Sequence, residues 1–177
     1  MKPAPLLMLA AAGSALMAQA APPAPTPATS PYQPLAFLIG HCWLGTFPGG
    51  AVTDEHCFSW VYGDKFVRDR HVVHKGAGRE DQLGESLYMW DASHAQLRYL
   101  YIESAGGFSQ GAVKSSGDTL VFPPTHYTED GQEQVYRSRW QRAGEHAYDV
   151  ITEFQVKGVW TPGFSMHMQQ VDKPATG

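Results

Sequence analysis

Residues 53–74 read TDEHCFSWVYGDKFVRDRHVVH, and their pattern indicates the fold class of the whole chain. Apolar and polar side chains alternate along it with a period of two, which is typical of β-strands that bury one face. The pair Gly63-Asp64 interrupts the alternation with residue types that tight hairpin turns require. The stretch therefore predicts two antiparallel strands, 53–62 and 65–74.

The same alternation continues to residue 171 in short runs that end at Gly, Asp or Ser. It predicts strands at 39–47, 53–62, 65–74, 82–91, 96–103, 107–114, 119–123, 134–142, 146–156 and 163–171, with a short helical turn at Pro34–Ile39. The connections are too short for the crossovers that parallel strands need. We therefore expect an all-β, up-and-down antiparallel meander of about ten strands, closed as a barrel or packed as a two-sheet sandwich.

The first 34 residues differ in composition from the rest of the chain. Residues 1–20 combine Lys2, an apolar run and a terminal Ala18-Gln19-Ala20, which predicts a secretory signal peptide cleaved after Ala20. Its apolar run is too short to span a membrane. Residues 21–34 contain six prolines and predict an extended linker. Residues 35–173 then form a single domain in the periplasm or outside the cell.

Composition and motifs exclude several classes of function. The chain carries 13 Lys and Arg against 17 Asp and Glu, without a basic run, so nucleic acid is not an expected partner. A Gly-rich phosphate loop is missing from the sequence. The expected partner is a small apolar or amphipathic molecule, and the oligomeric state is left open.

The two cysteines flank the first predicted hairpin. A turn centred between Gly49 and Gly50 sets Cys42 directly opposite Cys57. Opposed antiparallel positions lie within reach of a disulfide, and an oxidising compartment favours its formation. We therefore predict a Cys42–Cys57 bond.

Polar residues line up across the predicted strands. The turns pair Trp43 with His56 and His56 with His71, and the alternation places Asp69 and Trp60 on the same inward face. The loop at 75–81 leaves two registers open for the next strand. In one register, Glu85 faces His71 inside the barrel; after a one-residue slip, it faces Arg70 outside.

Adopting the first register, we predict a ligand-binding set of Trp43, His56, Trp60, Asp69, His71 and Glu85. The leading hypothesis is that His56, His71 and Glu85 orient the polar end of a bound molecule. These three side chains are also candidate metal ligands, as two imidazoles and a carboxylate, or an acid–base group of a small enzyme. The third possibility is a structural protein whose barrel is filled by side chains. We expect no cofactor, with a metal or a haem held by His167 as lesser alternatives.

The turn at residues 91–96 pairs Tyr88 with Tyr99 and Ser86 with Tyr101. With Glu85 inside, these tyrosines would lie on the outer surface. We interpret them as a cross-strand ladder that stabilises the outside of the sheet, in preference to an interaction patch for a partner.

Several stretches resemble a known group of proteins. They are Leu35–Gly40 followed by Trp43 and Gly45, Tyr62–Phe66 with Arg68–His71, Gly84-Glu85 leading to Tyr88 and Trp90-Asp91, and Gly106–Phe108. Over about residues 35–171, the chain resembles the calycin-type, lipocalin-like bacterial barrels of unassigned function. The resemblance implies a barrel related to nitrobindin-like and fatty-acid-binding proteins.

Overall fold

A computed structural model describes residues 30–174. These residues form ten antiparallel strands, each paired with its neighbours in sequence, and pairing of the first strand with the last closes a barrel. The strands are β1 (His41–Thr46), β2 (Thr53–Val61), β3 (Phe66–His74), β4 (Gln82–Asp91), β5 (Gln96–Glu103), β6 (Phe108–Ser116), β7 (Thr119–Glu129), β8 (Gln132–Arg142), β9 (Ala147–Val156) and β10 (Val159–Pro174). The predicted barrel is confirmed, and the sandwich is wrong.

Two strands, β7 and β10, are longer than the sequence predicted by six or more residues. β7 continues to Glu129 past Pro123-Pro124, because the pairing with β8 shifts register between Phe122 and Thr125. A bulge tolerates prolines that cannot donate to the hydrogen-bond ladder. β10 begins at Val159 and shifts register in the same way between Pro162 and Phe164.

A short 3-10 helix, Gln33–Leu35, closes one end of the barrel. The Tyr32 hydroxyl donates to the Lys65 carbonyl at 2.6 Å and accepts from the Trp90 backbone N–H at 3.0 Å. Leu35, the last residue of this helix, and Leu38 are fully buried. The predicted helical turn is confirmed, although it begins at Gln33, inside the stretch expected to be linker. The predicted signal peptide lies outside the described residues.

The predicted disulfide between Cys42 and Cys57 is confirmed, as these residues face each other across β1 and β2. Their separation of 15 residues corresponds to about 3 kcal/mol of stabilisation in the chain-entropy account of loop closure. Within residues 30–174, no helix has the length and hydropathy of a membrane span.

Candidate functional site

The barrel encloses a cavity of about 310 Å³. The 3-10 helix closes the end near Lys65, whereas the half-buried Glu129 and exposed Gln134 line the cavity near the β7–β8 turn, at the other end. The cavity therefore meets solvent at that end. Its volume lies at the lower limit of the range typical of small-molecule pockets.

Aromatic rings make up much of the cavity surface. Five are tyrosines: Tyr88, Tyr99, Tyr101, Tyr127 and Tyr136. The others are Phe122, Trp140, Phe154 and Phe164. The polar residues of β2, β3 and β5 lie across the barrel from the apolar side chains of β8, β9 and β10, as the strand order requires. The cavity thus has one polar and one mainly apolar wall.

A continuous chain of hydrogen bonds crosses the polar wall. His56 Nδ1 donates to Asp69 Oδ2 at 2.9 Å, and His56 Nε2 donates to Asp54 Oδ2 at 3.1 Å. His71 Nδ1 donates to the other Asp54 oxygen at 3.1 Å, which leaves His71 Nε2 to accept from the Tyr101 hydroxyl at 3.0 Å. Asp54 and Asp69 are buried, so each charge depends on these partners.

The position of His56 between two carboxylates sets the charges of the site. Burial alone would lower the pKa of His56, but the charges of Asp69 and Asp54 raise this pKa well above 6.5. Burial would raise the pKa of Asp54, but the charge of His56 and hydrogen bonds from both histidines hold this pKa well below 3.8. At neutral pH the site therefore contains a largely buried imidazolium between two carboxylates.

These shifts predict how stability depends on pH. The stabilisation from Asp54 is present above pH 3.8 and is lost as the pH falls towards its lower folded-state pKa. The stabilisation from His56 is complete below pH 6.5 and is lost as the pH rises towards its higher folded-state pKa. We therefore expect the free energy of unfolding, measured by urea titration, to be highest between these pH values. A His56→Gln variant should lose the decline above pH 6.5; an unchanged decline would contradict the assignment to His56.

Asp54, His56 and His71 are also close enough to hold a metal ion, since one donor atom from each lies within 4.8 Å of the others. Two features favour a hydrogen-bond network instead. Each donor atom already has a partner within the cluster or in Tyr101. The His56 and His71 rings are stacked with planes 27° apart, so their in-plane lone pairs do not converge on one point.

The predicted pairing of Glu85 with His71 is wrong. His71 faces Gly84, and Glu85 faces Arg70 on the outside of the barrel, which is the slipped register. The reason is steric: a Cβ at position 84 would lie 1.7 Å from His71 Nε2. The residue opposite this ring must therefore be glycine, and Asp54 supplies the carboxylate that was assigned to Glu85.

Because of the same one-residue shift in register, the tyrosines of β4 and β5 lie on the inner face of the barrel and not on the outer face. Tyr88 and Tyr99 are buried and line the cavity, so their predicted position on the outer surface is wrong. A one-residue change of register moves every side chain of a strand to the opposite face. This is also why Tyr101, which completes the hydrogen-bond chain, was missed.

The structure divides the other predicted site residues into two groups. His56, Asp69 and His71 line the cavity, and the pairing of His56 with His71 is confirmed. Trp43 and Trp60 do not line it. Trp43 is buried beside Tyr148, and Trp60 packs edge-on against Tyr32 of the closed end. His167, the haem candidate, is exposed and bonds Asp149 at 2.6 Å.

Asp54 was the main residue that sequence reasoning missed. It stands two residues before His56, so the period-two alternation that placed His56 inside also places Asp54 inside. That signal was available in the sequence.

No model of a known protein family and no curated protein matches the sequence. The function must therefore be argued from the cavity and its walls.

Proposed function

We propose that this protein binds a small amphipathic molecule inside the barrel. The observation that carries the proposal is the cavity of about 310 Å³, closed at one end and lined by aromatic rings beside an ordered polar wall. The apolar wall would bury the body of the ligand, and the polar groups that line the cavity would orient its polar end. Aromatic cavities with few, fixed polar groups are typical of small-molecule sites.

The hydrogen-bond chain supports this role because it orders the side chains of the polar wall before a ligand binds. His71 is held by Asp54 on one side and by Tyr101 on the other, so neither ring must be ordered when a ligand binds. Prior ordering reduces the entropic cost of association. The open cavity also argues against a barrel that is merely filled by its own side chains.

The same wall supports a second candidate, an acid–base enzyme. An imidazole held by a carboxylate through Nδ1, with Nε2 directed towards the cavity, is the arrangement of a general base. Here Tyr101 occupies Nε2 at 3.0 Å, so a substrate would have to exchange protons through the Tyr101 hydroxyl. We rank binding above catalysis for this reason.

The proposal also includes the compartment of the protein and its resemblance to a known group of barrels. The Cys42–Cys57 disulfide supports export to an oxidising compartment. The up-and-down order of ten strands supports the resemblance to calycin-type barrels.

The proposal predicts that the purified protein binds the neutral fluorescent probe N-phenyl-1-naphthylamine. A Val150→Trp variant, which fills the cavity from β9, should bind it at least about tenfold more weakly, or about 1.4 kcal/mol. Ile151→Trp, at the adjacent outward position, is the matched control and should bind normally. Thermal unfolding would establish that both variants fold. Absence of binding to the wild type, or equal binding by both variants, would refute an interior site.

A further inference from the structure

On one wall of the cavity, the N–H and O–H groups donate their hydrogen bonds to acceptors of the same wall. We call it the acceptor wall and define it by Asp69, His56, Asp54, His71, Tyr101, Tyr127 and Glu129. His56 donates both ring N–H groups to carboxylates, and His71 donates its Nδ1–H to Asp54. The Tyr101 hydroxyl donates to His71. A ligand that lies along these groups therefore meets oxygen lone pairs and few free hydrogens.

The acceptor wall also presents hydrogen-bond acceptors at the mouth of the cavity, the end near the β7–β8 turn where the cavity meets solvent. The Tyr127 hydroxyl has one hydrogen, shared between Glu103 at 3.3 Å and Glu129 at 3.2 Å. Glu103 also accepts from Gln82 and from the backbone N–H groups of Ala105 and Gly107. Glu129 has no further hydrogen-bond partner among the described residues. Glu129 therefore keeps lone pairs available to a ligand.

The charges of the lining agree with its hydrogen bonds. Three carboxylates line the cavity, from Asp54, Asp69 and Glu129, and the imidazolium of His56 offsets one of them. Among residues 30–174, neither Lys nor Arg lines the cavity. Low-dielectric walls focus such a field within the cavity.

The opposite wall adds few donors: apart from Gln134 at the mouth, whose side-chain amide can donate, its polar groups are hydroxyls. The Ser138 hydroxyl donates to the Ile151 carbonyl at 3.1 Å, and the Thr152 hydroxyl lies 3.0 Å from Ser138 and can donate to it. Trp140 and Phe154 present ring surfaces. The electron-rich faces of aromatic rings attract cations.

We infer that the preferred ligand is an organic cation, a small apolar molecule that carries a protonated amine, and that the cavity rejects carboxylates. This inference rests on the proposed function and specifies its ligand class. The ammonium group binds at Glu129 in the mouth, where a half-buried position lets it keep part of its hydration. The apolar body extends inwards past Tyr127 and Tyr101, whose ring centroids are 6.3 Å apart.

Three probes with one apolar body test the inference: 1-naphthylmethylamine, 1-naphthalenemethanol and 1-naphthoate. Isothermal titration calorimetry at neutral pH should give the tightest binding for the amine. The carboxylate should bind about 100-fold more weakly than the amine, because both the field and the acceptor wall oppose it. Added salt should weaken binding of the amine more than binding of the alcohol.

The variant Glu129→Gln tests the position of the ammonium group. It should weaken binding of the amine about tenfold and leave binding of the alcohol within about twofold. Glu133→Gln is the matched control, since Glu133 carries the same charge, is exposed and pairs with His126 at 3.0 Å instead of lining the cavity. It should leave binding of all three probes unchanged.

The outcomes separate this inference from the proposed function. Carboxylate binding as tight as amine binding would overturn the cation preference while supporting an interior site. Equal effects of Glu129→Gln and Glu133→Gln on the amine would overturn the position of the ammonium group. Failure of all three probes and of N-phenyl-1-naphthylamine would overturn the interior site itself.

Discussion

Replacing Asp54 with alanine is expected to lower the free energy of unfolding by about 3–5 kcal/mol, the usual effect of removing one partner of a buried ion pair. Asp54 is 5% exposed and accepts from both His56 and His71. Without it, the imidazolium of His56 keeps only Asp69, and His71 loses the acceptor that fixes its ring. Urea unfolding at neutral pH measures the change.

Asp81→Ala is the control for this variant. His74 and Asp81 also form a pair, at 2.9 Å, but their side chains are 44% and 42% exposed. Exposed ion pairs contribute at most about 1 kcal/mol. If the two alanine variants unfold at similar urea concentrations, burial does not determine how much the Asp54 cluster contributes to the free energy of unfolding.

Gly84→Ala should be the most damaging single-methyl addition inside the barrel. The new Cβ would lie 1.7 Å from His71 Nε2 and 2.1 Å from Cδ2, so the ring must leave its place between Asp54 and Tyr101. We expect a loss of about 3 kcal/mol, the upper part of the range for overpacking a core. Probe binding should weaken as well, since the polar wall loses its order.

Gly111→Ala provides the comparison within the same barrel. Its Cβ would lie 3.0 Å from Tyr99 Cε1, a contact that a shift of a few tenths of an ångström relieves. This variant should stay within about 1 kcal/mol of the wild type. Gly84→Ala with wild-type stability and probe binding would show that His71 has another position available.

Turn residues made the register of the first three strands predictable. The glycines at 49 and 50 and the Gly63-Asp64 turn fixed Cys42 opposite Cys57 and His56 opposite His71, because a short turn leaves one pairing open. The disulfide and half of the polar wall followed from these two turns.

The prediction of strand register was wrong after the loop between β3 and β4, residues 75–81. A loop of this length does not fix pairing, so the choice depended on a favourable His–Glu contact. The space taken up by the His71 ring decided it otherwise, because a side chain at position 84 has no room. Every residue of β4 and β5 then changed face, including Tyr88, Tyr99 and Tyr101.

Local alternation and short turns were sufficient to predict the strands, the order of their hairpins and the disulfide. They also predicted the inward direction of His56, Asp69 and His71. Contacts between residues distant in the chain, in contrast, close the sheet, direct tyrosines into the cavity and place Asp54 between the two histidines. Closure depends on the pairing of β1 with β10, which lie more than 100 residues apart in the chain. The position of the His71 ring likewise depends on residues from β2, β4 and β5 packed against it at once.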